Sequence, residues 1–349
     1  MWERTLISTT QVTSTNSVGF KIVGAHTDSP CLRLAPVSKM TSSDFHQTCV
    51  STYGGGLWHT WFDRTLRIGG KIIYNNGDAY TTKLWESKKA LLKIPNLAIH
   101  LSSDRAKFEP NTESHLRPIL SSEIYKQLVK PEAKKEKKED EKGIYKKHYA
   151  GLIDLISNDL GINADTILDF DLYFADSNPA GYFGLNDEYI SSPRLDNLFS
   201  SFHSINALLE SENHGKFINM VALFDHEECG SESAQGASSN IINQALERIF
   251  KLMSGDLKNS DGYEKMVQKS FVISADMAHG LHPNYSDKHQ SNHRVEINKG
   301  IVIKTNVSQR YATDSASASI IRIVAEKASV PVQDFIVKND SPCGTTIGT

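Results

Sequence analysis

The chain has 349 residues, a hydrophobic fraction of 39% and a formal net charge of −3, enough for one large or two medium domains with a real core. The charge gives no reason to expect nucleic acid or an anionic membrane as partner, and no apolar stretch is long enough to span a bilayer. The opening MWERTLISTT lacks the apolar core and cleavage site of a secretory signal, and Cys31, Cys49, Cys229 and Cys343 are spaced neither as a metal site nor as a dense disulfide framework.

Val18–His26 reads as a buried strand, with Phe20, Ile22 and Val23 leading to His26. From residue 50 to 190 the rhythm changes. A glycine turn, Gly54–Gly56, is followed by short alternating segments such as LRIGGKIIYNNGDAY, whose Asn-Gly pair signals a hairpin. Within this stretch, Lys130–Lys147 is a mixed charge run that reads as a solvated loop. Leu195, Leu198, Phe199, Phe202, Ile205 and Leu208 then recur at helix spacing. Phe217–Phe224 is a second buried strand, ending at Asp225-His226-Glu227-Glu228. Ile242, Leu246, Ile249, Phe250 and Met253 mark a second helix, and Phe271–Ala275 and Ile301–Lys304 two further strands. Strands alternating with helices predict an α/β fold with a largely parallel sheet. The stretch 50–190 is expected as a β-rich insert between two parts of that domain, 1–49 and 191–349. Ligand sites in such sheets lie beyond the carboxyl ends of the strands.

The ionisable residues collect at those ends. His26 has Asp28 two residues on, a spacing that lets a carboxylate orient a metal-bound imidazole; a structural histidine is the alternative. Asp225-His226-Glu227-Glu228 follows buried backbone directly, where four ionisable side chains are costly unless something pairs them. A polar loop opening an acidic helix is the alternative there. Asp276 sits at a third strand end, with His279 and His282 beyond it. Asp196 opens a helix, where a carboxylate is also favoured by the dipole. Together, one imidazole and several carboxylates suit a pair of divalent metals bridged by a carboxylate and a water, with an uncoordinated carboxylate to take the proton.

The segments GAHTDSP, YGGGLWHTWFDRTL, AIHL, SPRLDNL, DHEECGSES, SADMAHG, GIVIK, QRYATDS and SPCGTTIG occur in an order that resembles the aspartyl aminopeptidase family. The resemblance covers nearly the whole chain. It implies a metal-dependent aminopeptidase that removes N-terminal residues, Asp and Glu foremost, from peptides. It implies a mixed, largely parallel sheet flanked by helices, and an inserted β-rich domain that makes dimer contacts and lids the site. It further implies dimers assembling to a homo-dodecamer, two divalent metal ions (zinc in that reading), and a cytoplasmic or vacuolar location. Residue by residue, His26 would bind one metal and Asp28 would orient it. Asp196 would bridge the metals, Glu227 would be the general base, Glu228 a ligand of one metal and Asp276 of the other. His100 would reach a neighbouring subunit's site, and Lys304 and His279 would meet the substrate.

Two departures accompany the resemblance. Thr305 stands where the family tends to have histidine. A further metal-binding histidine of the family lies beyond the CGTTIG segment, within which this chain stops at Thr349. The expectation is therefore that one metal lacks a ligand. The alternative to an active enzyme is an inactive paralogue that assembles with complete relatives.

Overall fold

In a computed structural model, residues 6–9, 19–125, 142–212, 217–254, 261–345 and 347 are described. In chain order the elements begin with β1 (Leu6–Thr9) and β2 (Gly19–His26). The next group is β3 (Cys31–Ser42), β4 (Phe45–Tyr53), β5 (Thr65–Asn75), β6 (Tyr80–Glu86), β7 (Leu92–Lys93), β8 (Ile119–Ser122), α1 (Ile144–Lys147), α2 (Ala150–Leu160), β9 (Ile167–Asp176), β10 (Gly181–Phe183) and β11 (Tyr189–Ser191). Then come α3 (Leu195–Glu210), β12 (Phe217–Phe224), α4 (Ile241–Ser254), α5 (Gly262–Gln268), β13 (Phe271–Ser274), β14 (Ile301–Lys304), α6 (Ser315–Lys327) and β15 (Val332–Phe335). They form two compact units, one running to Ser29 and resuming at Arg194, the other spanning Pro30–Pro193.

The first unit holds a four-stranded sheet in the order β1-β12-β2-β13. The strands β12, β2 and β13 run parallel, and β1 is antiparallel at the edge. Side chains alternate across a strand, and here both faces are covered, which is why β2 and β12 are nearly continuous apolar runs. Phe20, Ile22, Ile218, Met220, Ala222 and Phe224 pack with Ile241 and Leu246 of α4 and Met266 of α5. On the opposite face, Ala25, Val221 and Leu223 pack with Leu208 and Ile205 of α3. Each fully buried Phe or Ile contributes roughly 1.5–3 kcal/mol. A separate parallel pair joins β14 to β15, so the predicted strand Ile301–Lys304 pairs outside the four-stranded sheet. Among the described residues no helix is long and apolar enough to cross a membrane.

Helix α3 forms where the spacing predicts it, and its buried face is largely polar. Asn197, Ser201, Ser204 and Leu208 are buried, while Leu198, Phe199 and Phe202 are 40%, 46% and 62% exposed. Small side chains let this helix approach the strand ends closely enough to bond their carbonyls: Ser201 Oγ donates to His26 O at 2.7 Å, and Asn197 Nδ2 to Ala275 O at 2.8 Å.

The second unit is antiparallel. Its strands pair in the order β6-β5-β7-β8-β4-β3-β9, and β9 also pairs with β5, closing a ring of six strands with β6 outside it. Leu32, Leu66, Ile68, Ile72, Leu172 and Phe174 fill the core with Leu152, Ile153 and Ile156 of α2. Gly70 permits the close β5–β9 approach, because a Cβ there would come within 1.9 Å of Asp171 O. The Asn-Gly signal is a turn between β5 and β6, with Gly77 at φ +100° and the Asn76 side chain accepting from the Asp78 and Ala79 amides. The boundary lies at Ser29/Pro30 rather than 49/50, because β3 and β4 pair with each other and with β8 and β9. Most of the charge run from Lys130 lies outside the described residues; its end forms α1, whose Ile144 is buried in the core.

Candidate metal centre

The parallel register brings three chemically distinct strand ends level. His26 pairs with Phe224 across β2 and β12, and Gly24 with Ser274 across β2 and β13. The next residues extend the match: Thr27 N–H donates to Phe224 O at 2.9 Å and Ala275 N–H to Gly24 O at 2.8 Å. His26, the 225–228 turn and Asp276 therefore leave the sheet side by side. Asp196 arrives from the start of α3, where Asp196 and Asn197 depart from helical backbone; Ser29 Oγ donates to Asp196 O at 2.7 Å.

His26 is the hub. Its Nε2 lies 3.3 Å from Asp196 Oδ1, 3.7 Å from Asp276 Oδ1 and 3.8 Å from Glu227 Oε2. Its Nδ1 faces Asp28, 3.1 Å from the carbonyl oxygen and 3.3 Å from Oδ1. Asp28 is also bound on its other side, its two carboxylate oxygens each accepting at 3.1 Å from the Glu227 and Glu228 amides. Two donor sets result, His26–Asp196–Asp276 and His26–Glu227–Glu228, in each of which one atom per residue lies within 4.8 Å of the others.

Electrostatics fit a divalent cation. Burial opposes charge on His26, yet the carboxylates of Asp196, Asp276 and Asp28 and the charge of Glu227 push its pKa up to about 12. Burial raises Glu227 to about 7 against the pull of His26, with Asp276, Asp28 and Asp196 adding to the rise. Burial and then the Asp196 charge raise Glu228 to about 7. Asp276 is held low despite burial, by the His26 hydrogen bond and the charge of Lys304. Five carboxylates around one imidazole are short of positive charge, and nitrogen and carboxylate oxygen are donors that zinc accepts.

The remaining predicted residues lie around and apart from this cluster. Lys304 Nζ donates to Met277 O at 2.5 Å and lies 5.6 Å from the centroid of the Tyr311 ring. The His279 ring packs against His289 and Phe335, with centroids 5.3 and 5.1 Å away. Burial first, then the charges of His289 and Lys304, hold its pKa down. His100 belongs to the other unit, exposed on a single turn, Ile99–Leu101. Sequence reasoning passed over Asn197, Ser201 and Tyr311. The first two carry only a weak signal, small polar residues four apart on one side of a helix that holds several other polar residues; Tyr311 carries none beyond its motif.

The profile described as aminopeptidase I zinc metalloprotease (M18) matches residues 7–349. An aspartyl aminopeptidase of Caenorhabditis elegans is 46% identical over 336 residues, covering 95% of this chain and 70% of the nematode protein. A probable aspartyl aminopeptidase of Ricinus communis is 44% identical over 354 residues, covering 95% of this chain and 72% of the plant protein. A solved structure titled as the cryo-EM structure of the Ape4 and Nbr1 complex aligns at 38% identity with a TM-score of 0.89, covering 98% of this chain and 66% of that one. The chain thus spans 66–72% of these three proteins.

Proposed function

The chain belongs to the aminopeptidase I zinc metalloprotease (M18) family, and from that premise we propose that it hydrolyses the first peptide bond of peptides, those with N-terminal Asp or Glu foremost. The observation that carries the proposal is the convergence of Asp196, Asp276 and Glu227 within 3.3–3.8 Å of one imidazole nitrogen. In this reading the family's metal is a pair of divalent ions, held by His26, Asp196, Asp276 and Glu228. When bound, such ions polarise the scissile carbonyl and lower the pKa of an attacking water.

The chain's own residues supply the rest. Asp28 fixes the His26 ring so that Nε2 faces the carboxylates. Glu227 is the general base: its carboxylate, 3.8 Å from His26 Nε2, stands beside the ligand set, where it can take a proton from the attacking water and return it to the leaving amine. Its side chain is 11% exposed, which limits competition from bulk water for that proton. Lys304, tied to Met277 O beside Asp276, would meet an acidic substrate side chain, and His279 would line the same pocket.

The proposal extends to assembly as a homo-oligomer in which His100 serves a neighbouring copy. What supports this is the setting of His100: Leu97, Ile99 and Leu101 around it are 63%, 57% and 72% exposed, an apolar surface of the kind a partner covers.

The test is hydrolysis of Asp-, Glu-, Ala- and Leu-initiated peptides by the zinc-loaded chain, with light scattering for its mass. Faster release of Asp and Glu, lost with a chelator and restored by zinc, is the expected result. Absence of zinc-dependent release from any of the four overturns the proposal. An unchanged acidic-to-neutral ratio in Lys304→Ala removes that residue from the pocket.

A further inference from the structure

Behind the Glu227–Glu228 turn stands His226, which has no task in the chemistry above. Its backbone is left-handed, with φ 64°, a region that residues other than glycine enter at a cost unless their surroundings hold them there. Its ring is held on two sides: Nδ1 lies 2.6 Å from Ser233 Oγ, and Nε2 lies 3.6 Å from Asp225 Oδ2. Its amide donates to Asp225 Oδ1 at 3.0 Å.

Ser233 is itself anchored. Its Oγ accepts from the Gln235 amide at 3.3 Å, and Gln235 O accepts from the Asp225 amide at 3.2 Å. The Ser231 amide donates to His226 O at 2.8 Å, and Ser238 N–H returns to Ser231 O at 3.1 Å. Gly236 packs so closely that a Cβ would come within 2.1 Å of Ser231 O. The loop from 225 to 238 is thus cross-tied through the His226 ring. In front, the turn's next two amides end on the Asp28 carboxylate.

We infer that His226, locked by Ser233, is a positioning residue that aims Glu227 and Glu228 together at the metal centre. The inference rests on the reading of Glu227 as base and Glu228 as ligand. Without the Ser233 bond, the backbone at 226 relaxes toward the right-handed region and the following amides leave Asp28. Both carboxylates then lose their aim at once. Asparagine is the conservative replacement, because its side-chain amide occupies the place of Nδ1 and it tolerates left-handed backbone.

The experiment measures zinc affinity by competition with a chromophoric chelator, and peptide turnover beside it, for His226→Ala, His226→Asn, Ser233→Ala and the double alanine variant. His226→Ala and Ser233→Ala should each weaken zinc binding about tenfold, the usual scale for lost outer-shell support. They should also lower kcat by about tenfold or more, with KM within about twofold. The double variant should be no worse than the poorer single one, since both cut the same tie, and His226→Asn should stay close to the parent. Parent-like zinc affinity in both single alanine variants, equal damage in His226→Asn, or losses that multiply in the double variant would each overturn the inference. If His226→Ala does not fold, Ser233→Ala and His226→Asn decide it. Turnover that survives Glu227→Gln would instead overturn the functional reading, and the zinc isotherms would still decide the role of His226.

Discussion

Replacing Asp28 separates two effects of opposite sign within the metal centre. Its carboxylate, 6% exposed, accepts from the Glu227 and Glu228 amides at 3.1 Å each and faces His26 Nδ1 at 3.3 Å. In Asp28→Ala both amides lose their acceptor, a loss of roughly 2–6 kcal/mol at about 1–3 kcal/mol per orphaned buried donor. Against this stands relief of repulsion, because one of five carboxylates is gone. The metal-free His26, carrying a proton, already offsets most of that repulsion. What is left is about one like-charge pair, about 2 kcal/mol at an effective dielectric constant of about 20. The net expectation for the metal-free protein is a destabilisation of about 0–4 kcal/mol for Asp28→Ala and a change near zero for Asp28→Asn, which orphans one donor instead of two while relieving the same charge. Adding zinc reverses the charge effect, since the carboxylate now attracts the cation and polarises the His26 ring. Both variants should then bind zinc about 10–100-fold more weakly, and the gap in stability to the parent should widen as zinc is raised. Urea unfolding with chelator, followed by zinc titration, measures both quantities. A metal-free Asp28→Ala within about 0.5 kcal/mol of the parent, with unchanged zinc affinity, would refute the reasoning.

Glu227→Gln should abolish peptide turnover and leave the zinc content nearly unchanged, because a base outside the ligand set is removed; zinc loss measured by elemental analysis would exchange the roles of the two glutamates. Asp196→Ala should release both ions, and Asp276→Ala one, if Asp196 bridges them; equal loss in the two would count against bridging. The last expectation concerns His148 in the β-rich unit. It is fully buried, with Nδ1 2.8 Å from Ser38 Oγ, and burial lowers its pKa from 6.5 to about 4. The unfolded chain takes up this proton below pH 6.5 and the folded chain does not. Stability is therefore complete above that pH and declines toward pH 4, by about 3 kcal/mol in all. In His148→Asn that part of the decline should vanish, read by urea unfolding and by amide exchange in residues 30–193; an identical pH slope would show that His148 does not supply it.

The strand ends were legible because an apolar run that stops abruptly at ionisable residues is costly without a purpose. FINMVALF followed by DHEE fixes both the burial of β12 and the exit of the Glu227–Glu228 turn. The buried face of α3 is not legible from periodicity, which reports which side is apolar, whereas contact is decided by size as well. Ser201 and Asn197 are small enough to reach carbonyls that a leucine would hold away. The unit boundary at Ser29/Pro30 is not legible in the sequence because β3 and β4 alternate too weakly to announce a change of sheet; only their pairing with β8 and β9 assigns them.

The tie between His226 and Ser233 had no sequence signal, since it depends on left-handed backbone at His226, Gly230 and Ser231 in a stretch with no period. Its necessity follows from charge. A parallel sheet can align His26, Asp225 and Asp276 through register alone, because each lies at or just beyond the end of a strand. Glu227 and Glu228 lie past the last paired residue, where repulsion from Asp28, Asp196 and Asp276 favours their escape into solvent. The Asp28 acceptors and the His226 tie oppose that escape before any cation is present. The centre is then preformed, and a cation entering it gains the full attraction of the cluster without having to assemble it.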